Sequence, residues 1–575
     1  MSPETHDLDL LKPILEKYEP GDRSGLIPAL WDAQRTFGHL SEPVVASIAK
    51  TLDVPLADAH GVVEFYTMLY NEPKGETTVR VCVSPVCAQE GSNQVLDQLC
   101  DHHGVERGGT TEDGKYTIKP VECLGLCDHA PSGLIEDVPV SHVDETDPVT
   151  LADDPPPAPL GHISGSTRHI TKRVGEMDPT DIEAYQDMGG FSGLRKALLE
   201  LSPQEVITEI EEAGLVGRGG AAFPTGLKWK FTAGAEGEPK YIVCNTDESE
   251  PGTFKDRFLM EGDPLAVLEG MLLAGYAIGA HKGYIYIRGE YYRSQKFFEG
   301  VLENAREHGF LGEDILGSGF DFDVEIRAGA GAYICGEETA LFESIEGKRG
   351  FPRIKPPFPT THGLFGQPTV INNVETLAAA TWIMENGADA FRASGTEESP
   401  GTKMFCLSGD VGRPGVYEVP YGTTMRELLE QAGGVKGELQ AALVGGAAGF
   451  YATPDQLDVP MSFEGLEEAG LTLGSGVVIV SNTQRDLRKS LISLARFFAH
   501  ESCGKCYPCR FGTQRQKDLL KRIFNGEGSQ ENIEALDDIG YTMTESSLCG
   551  LGKTASLAIL SAKEHWPELF NGQDS

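Results

Sequence analysis

Apolar residues recur at helical spacing between residues 8 and 72, most plainly at Leu26, Leu30, Ala33 and Phe37, and predict a small helical bundle. Ser41, Glu42 and Pro43 read as an N-cap and first turn that open the next helix. After Glu72-Pro-Lys-Gly75 the period changes to two in Thr77–Cys82. A loop and helix over 91–103 and a second strand over 115–120 complete a small α/β domain, with cysteines at its strand ends.

From about 137 to 179 no period is sustained. The runs DETDP, DDPPPAPLG and HISGSTRH are acidic, Pro-rich and Ser/Gly-rich in turn, the composition of a linker between two modules that could exist separately. A helix over 205–213 then runs into GLVGRGGAAFPTGLKW, from Gly214 to Trp229. Its glycines let backbone amides approach phosphate, and Arg218 and Lys228 can offset phosphate charge. It matches neither the P-loop nor G-x-G-x-x-G.

Three more polar, glycine-marked loops follow at element ends: Asn245 to Thr253 after a strand, Ala328 to Glu338 before a helix, and Asn372 to Thr376 at the start of another. Between the last two lies the rigid, basic Arg353-Ile-Lys355-Pro-Pro-Phe358-Pro. Such loops are what a nucleotide crevice requires. Short strands and turns alternate over 400–485, and helical spacing returns towards the end of the chain.

Composition narrows the partners. The 575 residues exceed what one hydrophobic core organises, so three to five domains are expected. The 87 acidic and 48 basic side chains give a formal net charge of -39, which repels nucleic acid and anionic membrane. Such acidity also suits a salt-rich cytoplasm, where screening shortens self-repulsion. The most apolar stretch, 264–280, is too short to span a bilayer and contains Glu269, so direct membrane insertion is not expected.

Eight of the twelve cysteines fall into two spacings. Cys82 and Cys87 (C-x4-C) precede Cys123 and Cys127 (C-x3-C), and Cys503, Cys506 and Cys509 (C-x2-C-x2-C) are joined by Cys549. The start MSPETHDLDL lacks a secretory signal, which argues against disulfides. Structural zinc is the nearer rival, but the first spacing suits a two-iron rhomb better than paired zinc knuckles, and the second supplies the ligands of a cubane. Cys100, Cys244, Cys335 and Cys406 show no metal spacing and read as buried thiols.

These residues together resemble a known family. GRGGAAFPTGLKW, CNTDESEPGT, GAYICGEETAL, KPPFP, INNVETL, SCGKCYPC and SLCGLG stand in the order of the NADH-oxidising, FMN-containing flavoprotein of respiratory complex I and its soluble relatives. The front part resembles the thioredoxin-like 2Fe-2S subunit, here fused to it. The resemblance implies a multidomain α/β and α+β chain: a helical bundle over 1–75, a thioredoxin-like 2Fe-2S domain over 76–140, a linker over 141–180, an FMN- and NADH-binding domain over 181–398, a ubiquitin-like β-grasp domain over 399–485 and a 4Fe-4S helical bundle over 486–575.

Roles implied by the resemblance follow residue by residue. Gly217, Arg218, Gly219 and Gly220 form the FMN loop, with Lys228, Asn245, Asp247, Glu248, Gly336, Glu337, Glu338, Asn372, Asn373 and Thr376 around phosphate, ribityl chain and ring. NADH is met by Phe223, Phe231, Glu250, Tyr333, Lys355 and Phe358, and Glu248 and Glu338 are expected to act as the catalytic pair. Cys82, Cys87, Cys123 and Cys127 hold the 2Fe-2S cluster as a side acceptor. Cys503, Cys506, Cys509 and Cys549 hold the 4Fe-4S cluster, which passes single electrons to a large iron-sulfur subunit.

The expected parent is NADH-quinone oxidoreductase, in the cytoplasm and peripheral to the inner face of the cell membrane through partner subunits. The alternatives are the diaphorase of a soluble NAD-linked hydrogenase or formate dehydrogenase, and a non-catalytic electron-transfer or assembly scaffold. Glu250 and Glu337 would repel a 2'-phosphate, which favours NADH over NADPH. Without the ferredoxin-like tail of bifurcating hydrogenase relatives, bifurcation by that architecture is not expected.

Overall fold

A computed structural model describes residues 8–571. Residues 1–7, on which most of the reading of the start rests, and 572–575 lie outside them. Helices Leu26–Phe37, Glu42–Thr51 and Leu56–Phe65 form the leading bundle and bury Leu26, Leu30, Ala33, Val45 and Ile48 between them. This bundle leans on the later half of the chain: the Trp31 indole donates to the Gly329 carbonyl at 3.1 Å and the Tyr66 hydroxyl to that of Lys348 at 2.9 Å.

Next come β1 (Thr77–Cys82), β2 (Tyr116–Val121), β3 (Gly133–Ile135) and β4 (Val138–Val140), in the order β2-β1-β3-β4. β1 and β2 run parallel across the helix Ser92–His103, as a crossover requires, and β3 returns antiparallel.

The expected linker is ordered structure. Asp147 caps a helix over Pro148–Asp153, and β5 (Ile163–Ser164) pairs with a strand more than 250 residues further on, Gly415–Pro420. The Glu418 carboxylate accepts the amides of His169, Ile170 and Thr171, each at 2.9 Å. At Gly165 a side chain would collide with the Glu418 carbonyl, so the strap passes there only as glycine, with φ at +146°. Proline-rich composition hides this order, because its partners are supplied by tertiary contacts rather than by local period.

The third unit is a parallel sheet of β6 (Tyr241–Thr246), β7 (Lys282–Ile287), β8 (Asp323–Ala328) and β9 (Thr369–Asn373), ordered β8-β7-β6-β9. Helices Pro264–Ile278 and Val374–Asn386, predominantly apolar, pack together behind it. Glu269 is the exception within the first. Its buried carboxylate accepts from the Tyr185 hydroxyl at 2.6 Å and from the amides of Phe191 and Leu194, so three donors replace water.

β10 (Thr402–Gly409), β11 (Gly415–Pro420), β12 (Leu439–Val444), β13 (Phe450–Ala452) and β14 (Val477–Asn482) join β5 in a six-stranded mixed sheet with its own core. The chain closes with helices Leu487–Glu501, Tyr507–Phe524, Gln530–Ser546 and Leu557–His565. Among the described residues no helix is long and apolar enough to cross a membrane.

Gly270 is where the two core helices touch, since a Cβ there would lie 2.3 Å from the Leu377 carbonyl oxygen. Gly270→Ala is therefore expected to cost about 1–3 kcal/mol through overpacking. Thermal unfolding followed by circular dichroism should show a midpoint lowered by several degrees, and an unchanged midpoint would refute this contact.

Candidate flavin crevice and thiol quartets

In a parallel sheet ligands gather beyond the C-terminal ends of the strands. The glycine loop lies there. The Gly217 amide donates to the Phe223 carbonyl at 2.9 Å, and that of Arg218 to the Thr376 hydroxyl at 2.8 Å. A Cβ on Gly219 would press on Asn373 at 3.2 Å, so the loop's close approach to the end of β9 favours glycine there, and Gly220 has φ at +116°, a conformation open to glycine. Lys228 and Trp229, on the helix Thr225–Ala233, donate to the Ile371 carbonyl at 3.0 Å and the Asn372 amide oxygen at 2.9 Å.

From β6, Asn245 donates to the Gly336 carbonyl at 2.9 Å, which ties two of the predicted loops together. Asp247 lies beside them. Its Oδ1 accepts from Ser249, while Oδ2 is buried with no partner among the described residues. Burial pushes this carboxyl up to about 8. An orphaned acid oxygen between Gly336 and the strand end is what a missing hydrogen-bonding ligand leaves behind, so these residues fit a polar ring or polyol.

Several predicted side chains point elsewhere. The Arg218 guanidinium is buried over the Tyr421 ring at 4.6 Å, bonded to its hydroxyl, and cannot meet a phosphate in this position. Glu248 caps the helix Lys255–Gly262 through the Asp256 and Arg257 amides at 2.8 and 3.1 Å, with the Tyr291 hydroxyl at 3.0 Å. In this arrangement that carboxylate is engaged in holding the start of the helix. Glu250 accepts from the Ala448 amide at 3.0 Å in the β-grasp unit. Glu337 caps the helix Glu338–Ile345 and, with Glu338, is ion-paired to Lys355.

The aromatic residues divide. Phe223, Phe231 and Phe358 are 43 %, 50 % and 56 % exposed, as side chains at the mouth of a crevice would be. The Lys228 ammonium lies 6.0 Å from the Phe223 ring. Tyr333 is set deeper, its amide held by Glu501 at 3.0 Å and its ring edge-on to Phe497 at 5.0 Å.

The thiols of each quartet lie near one another, although among the described residues no three of them stand close enough together to hold a metal ion. Cys82, Cys87, Cys123 and Cys127 are all buried, and the Cys123 and Cys127 sulfurs stand 3.6 Å apart, close to the ~3.8 Å expected for two thiolates on one tetrahedral metal at ~2.3 Å. Hydrogen bonding from Cys127 pulls the Cys123 thiol down, helped by Arg288 and the amides of Gly125 and Gly252. At the other end Cys503, Cys506, Cys509 and Cys549 line one cavity. Burial pushes Cys509 up to about 12 and Cys549 up to about 11, so these thiols become thiolates only when metal replaces their protons. A further cavity, lined by Cys123, Ser249, Arg288, Tyr333 and Glu501, lies between the first quartet and the crevice.

Comparison with known proteins agrees with this arrangement. Family models match residues 11–153 as a thioredoxin-like 2Fe-2S ferredoxin, 210–382 as the Nuo51 FMN-binding domain, 404–447 as an SLBB domain and 489–573 as the iron-sulfur binding region of NADH-ubiquinone oxidoreductase-F. Over 404 residues the chain is 47 % identical to the F 2 polypeptide of the NADH-quinone oxidoreductase of Rhizobium meliloti, covering 70 % of this chain and 96 % of that one. The chain belongs to the family of NADH-oxidising flavoproteins. A second member, the alpha subunit of the NAD-reducing hydrogenase HoxS of Cupriavidus necator, is 38 % identical over 571 residues, covering 97 % of this chain and 93 % of that one. The crystal structure of an air-oxidised NAD+-reducing NiFe hydrogenase aligns with a TM-score of 0.84 at 33 % identity, over 97 % of this chain and 94 % of that one. This flavoprotein thus has an FMN-binding domain, a 2Fe-2S domain and a 4Fe-4S domain in one polypeptide.

Sequence reasoning missed the cations beneath the flavoprotein's crevice. Fully buried Lys255 lies 2.6 Å from Asp256 and 3.0 Å from Glu375 and donates to Asn373 at 3.2 Å, and Lys403 reaches the same Glu375 at 2.6 Å. Arg288, just beyond β7, donates to the carbonyls of Glu248 and Cys123 at 2.6 and 2.7 Å. A lone arginine at the C-terminal end of a strand was the available signal.

The raised acids set a pH dependence. Between about pH 4 and 8 folded apoprotein keeps the Asp247 proton that the unfolded chain releases, so stability falls as pH rises through this window. Glu248 and Glu250, both near 7 through burial, act in the same direction. Melts of FMN-free protein from pH 5 to 8 should show this decline, and Asp247→Asn should flatten its upper part.

Proposed function

We propose that the chain is the NADH-side module of a larger electron-transfer complex, with the following assignments. The amides of Gly219 and Gly220, in the loop that Gly217 and Arg218 anchor to Phe223 and Thr376, hold the FMN phosphate with Lys228, while Asn245, Asp247, Gly336, Asn372, Asn373 and Thr376 hold its ribityl chain and ring. Phe223, Phe231, Tyr333, Lys355 and Phe358 receive NADH, with Glu337 and Glu338 keeping Lys355 in position. The two quartets ligate the 2Fe-2S and 4Fe-4S clusters. The observation that carries this reading is the orphaned Asp247 oxygen beside Gly336, with Cys123 of the first quartet lining a cavity shared with Ser249 and Tyr333, and the second quartet lining one shared with Ile334 and Pro352.

When bound, the flavin accepts a hydride from the nicotinamide and releases electrons singly, which the iron-sulfur clusters carry. The protein's own work is alignment and insulation. Glycine amides set the depth of the phosphate, buried Lys255 and Glu375 fix Asn373, and the Lys355 ion pairs hold the mouth in register. Asp247, protonated near neutrality, offers a hydrogen bond as donor where an ionised acid could only accept.

On the parent assembly, end-to-end correspondence with the alpha subunit of a hydrogenase favours a soluble NAD-linked complex, with this chain as its diaphorase. Higher identity over 70 % of the chain to the Rhizobium polypeptide supports membership of NADH-quinone oxidoreductase, in which the protein would sit in the cytoplasm and reach the membrane through partners. Hydrogen- or formate-driven NAD+ reduction in the soluble fraction supports the first, and NADH-driven quinone reduction by membranes the second.

Anaerobic titration of the holoprotein with NADH should bleach the flavin and produce 2Fe-2S and 4Fe-4S signals in electron paramagnetic resonance. Cys549→Ser should remove the 4Fe-4S signal alone and leave bleaching intact. Clusters and flavin that are present but silent to NADH would return the reading to a scaffold.

A further inference from the structure

Five charged side chains are buried together beneath the glycine loop. Lys255 and Asp256 open the helix Lys255–Gly262, Glu375 lies in the first turn of Val374–Asn386, Lys403 comes from β10 and Arg218 from the loop itself. None is more than 3 % exposed. Both lysines converge on one oxygen of Glu375, Lys255 at 3.0 Å and Lys403 at 2.6 Å, and the other oxygen accepts the Met404 amide at 3.0 Å. Asp256 meets Lys255 with one oxygen and the Asn373 side-chain amide with the other, each at 2.6 Å.

The cluster is unbalanced. Three cations face two carboxylates, with Arg218 acting on the same Glu375 as the lysines. A third acid near Lys255, Glu248, is raised to about 7 by burial, so much of it is uncharged at neutral pH. Burial pushes the Lys403 ammonium down to about 8 even though Glu375 supports its charge, and Lys255 and Arg218 add to that push. The Arg218 Nε is buried with no partner among the described residues. An ion pair that only tied the β-grasp unit to the flavin unit would need one lysine for one glutamate. Charges removed from water are costly even when paired, and surplus cation in an interior is costlier still. An anion would complete the set. Asn373, which accepts from Lys255 at 3.2 Å, also lies against Gly219, so a group seated on the loop is one side chain away from the cluster.

We propose that Lys255, Lys403 and Arg218 form a buried cationic floor that selects a flavin bearing a phosphate over one without it, acting through the electric field rather than by contact. Lys403 thereby makes the β-grasp unit a determinant of cofactor choice. In a low-dielectric interior a unit charge is felt over several ångströms, whereas surface cations are screened by salt and in this chain are outnumbered, 48 against 87, by acidic side chains. The inference rests on the reading that the loop takes the FMN phosphate. The pyrophosphate of NADH offers related chemistry, and the experiment separates the two.

The test uses the full-length, cluster-loaded chain stripped of flavin, with FMN and riboflavin each titrated by the quenching of flavin fluorescence. The unaltered chain should bind FMN much the more tightly. Lys403→Met should weaken FMN about tenfold or more and leave riboflavin within about twofold, whereas Lys403→Arg should retain most of the preference. Adding Glu375→Gln to Lys403→Met takes one charge of each sign from the cluster and should recover part of the preference, which a packing role for Lys403 would not allow. Equal weakening of both flavins, or of neither, in variants that melt with the parent chain would overturn the floor, as would a defect confined to NADH binding. An unaltered chain that binds FMN no better than riboflavin would instead overturn the assignment of the loop to the flavin phosphate.

Discussion

Two buried guanidinium groups join the redox halves of this protein. Arg288 spans the Glu248 carbonyl of the crevice and the Cys123 carbonyl of the first quartet. Arg257 binds the Gly125 carbonyl, the Leu160 carbonyl and the Asp128 carboxylate at 3.1, 2.9 and 2.7 Å. A guanidinium offers five donors in a fixed fork, so each can satisfy several backbone oxygens that would otherwise be buried unpaired. The loop that brings Cys123 and Cys127 together is thereby referenced to the loop that builds the crevice. Removing either cation would leave a set of buried carbonyls without partners, the costly case for interior polar groups.

The same economy of buried charge runs through the crevice. Glu375 lies between Lys255 and Lys403 and is held down at about 2, while Lys403, losing water to the interior, is pushed down to about 8. This mixed cluster fixes Asn373, and through it the approach of the glycine loop. An acidic protein thus carries cations at the site that must receive anions.

The chemistry was legible because it is local. Cysteine spacings and glycine loops state what a short segment can do, and each such segment lies at the strand or helix end where it was expected. Side-chain direction was not legible. Arg218 and Glu250 turn to partners near residues 421 and 448, supplied by a domain that comes about 200 residues later in the chain. Glu248 was drawn to the free amides of the helix behind it, a competition that no motif records. Arg257 and Arg288 stand alone in sequence and acquire meaning only when the two modules meet.

The strap between those modules has a consequence for how the protein persists. Pinned by Glu418 and stitched to β11, it leaves little slack, so the small module's dissociation is an intramolecular event with immediate return. Two separate subunits of the same shape would part on dilution. Here the ratio of small to large module is one at any concentration, and neither can be lost from the other while the chain is intact.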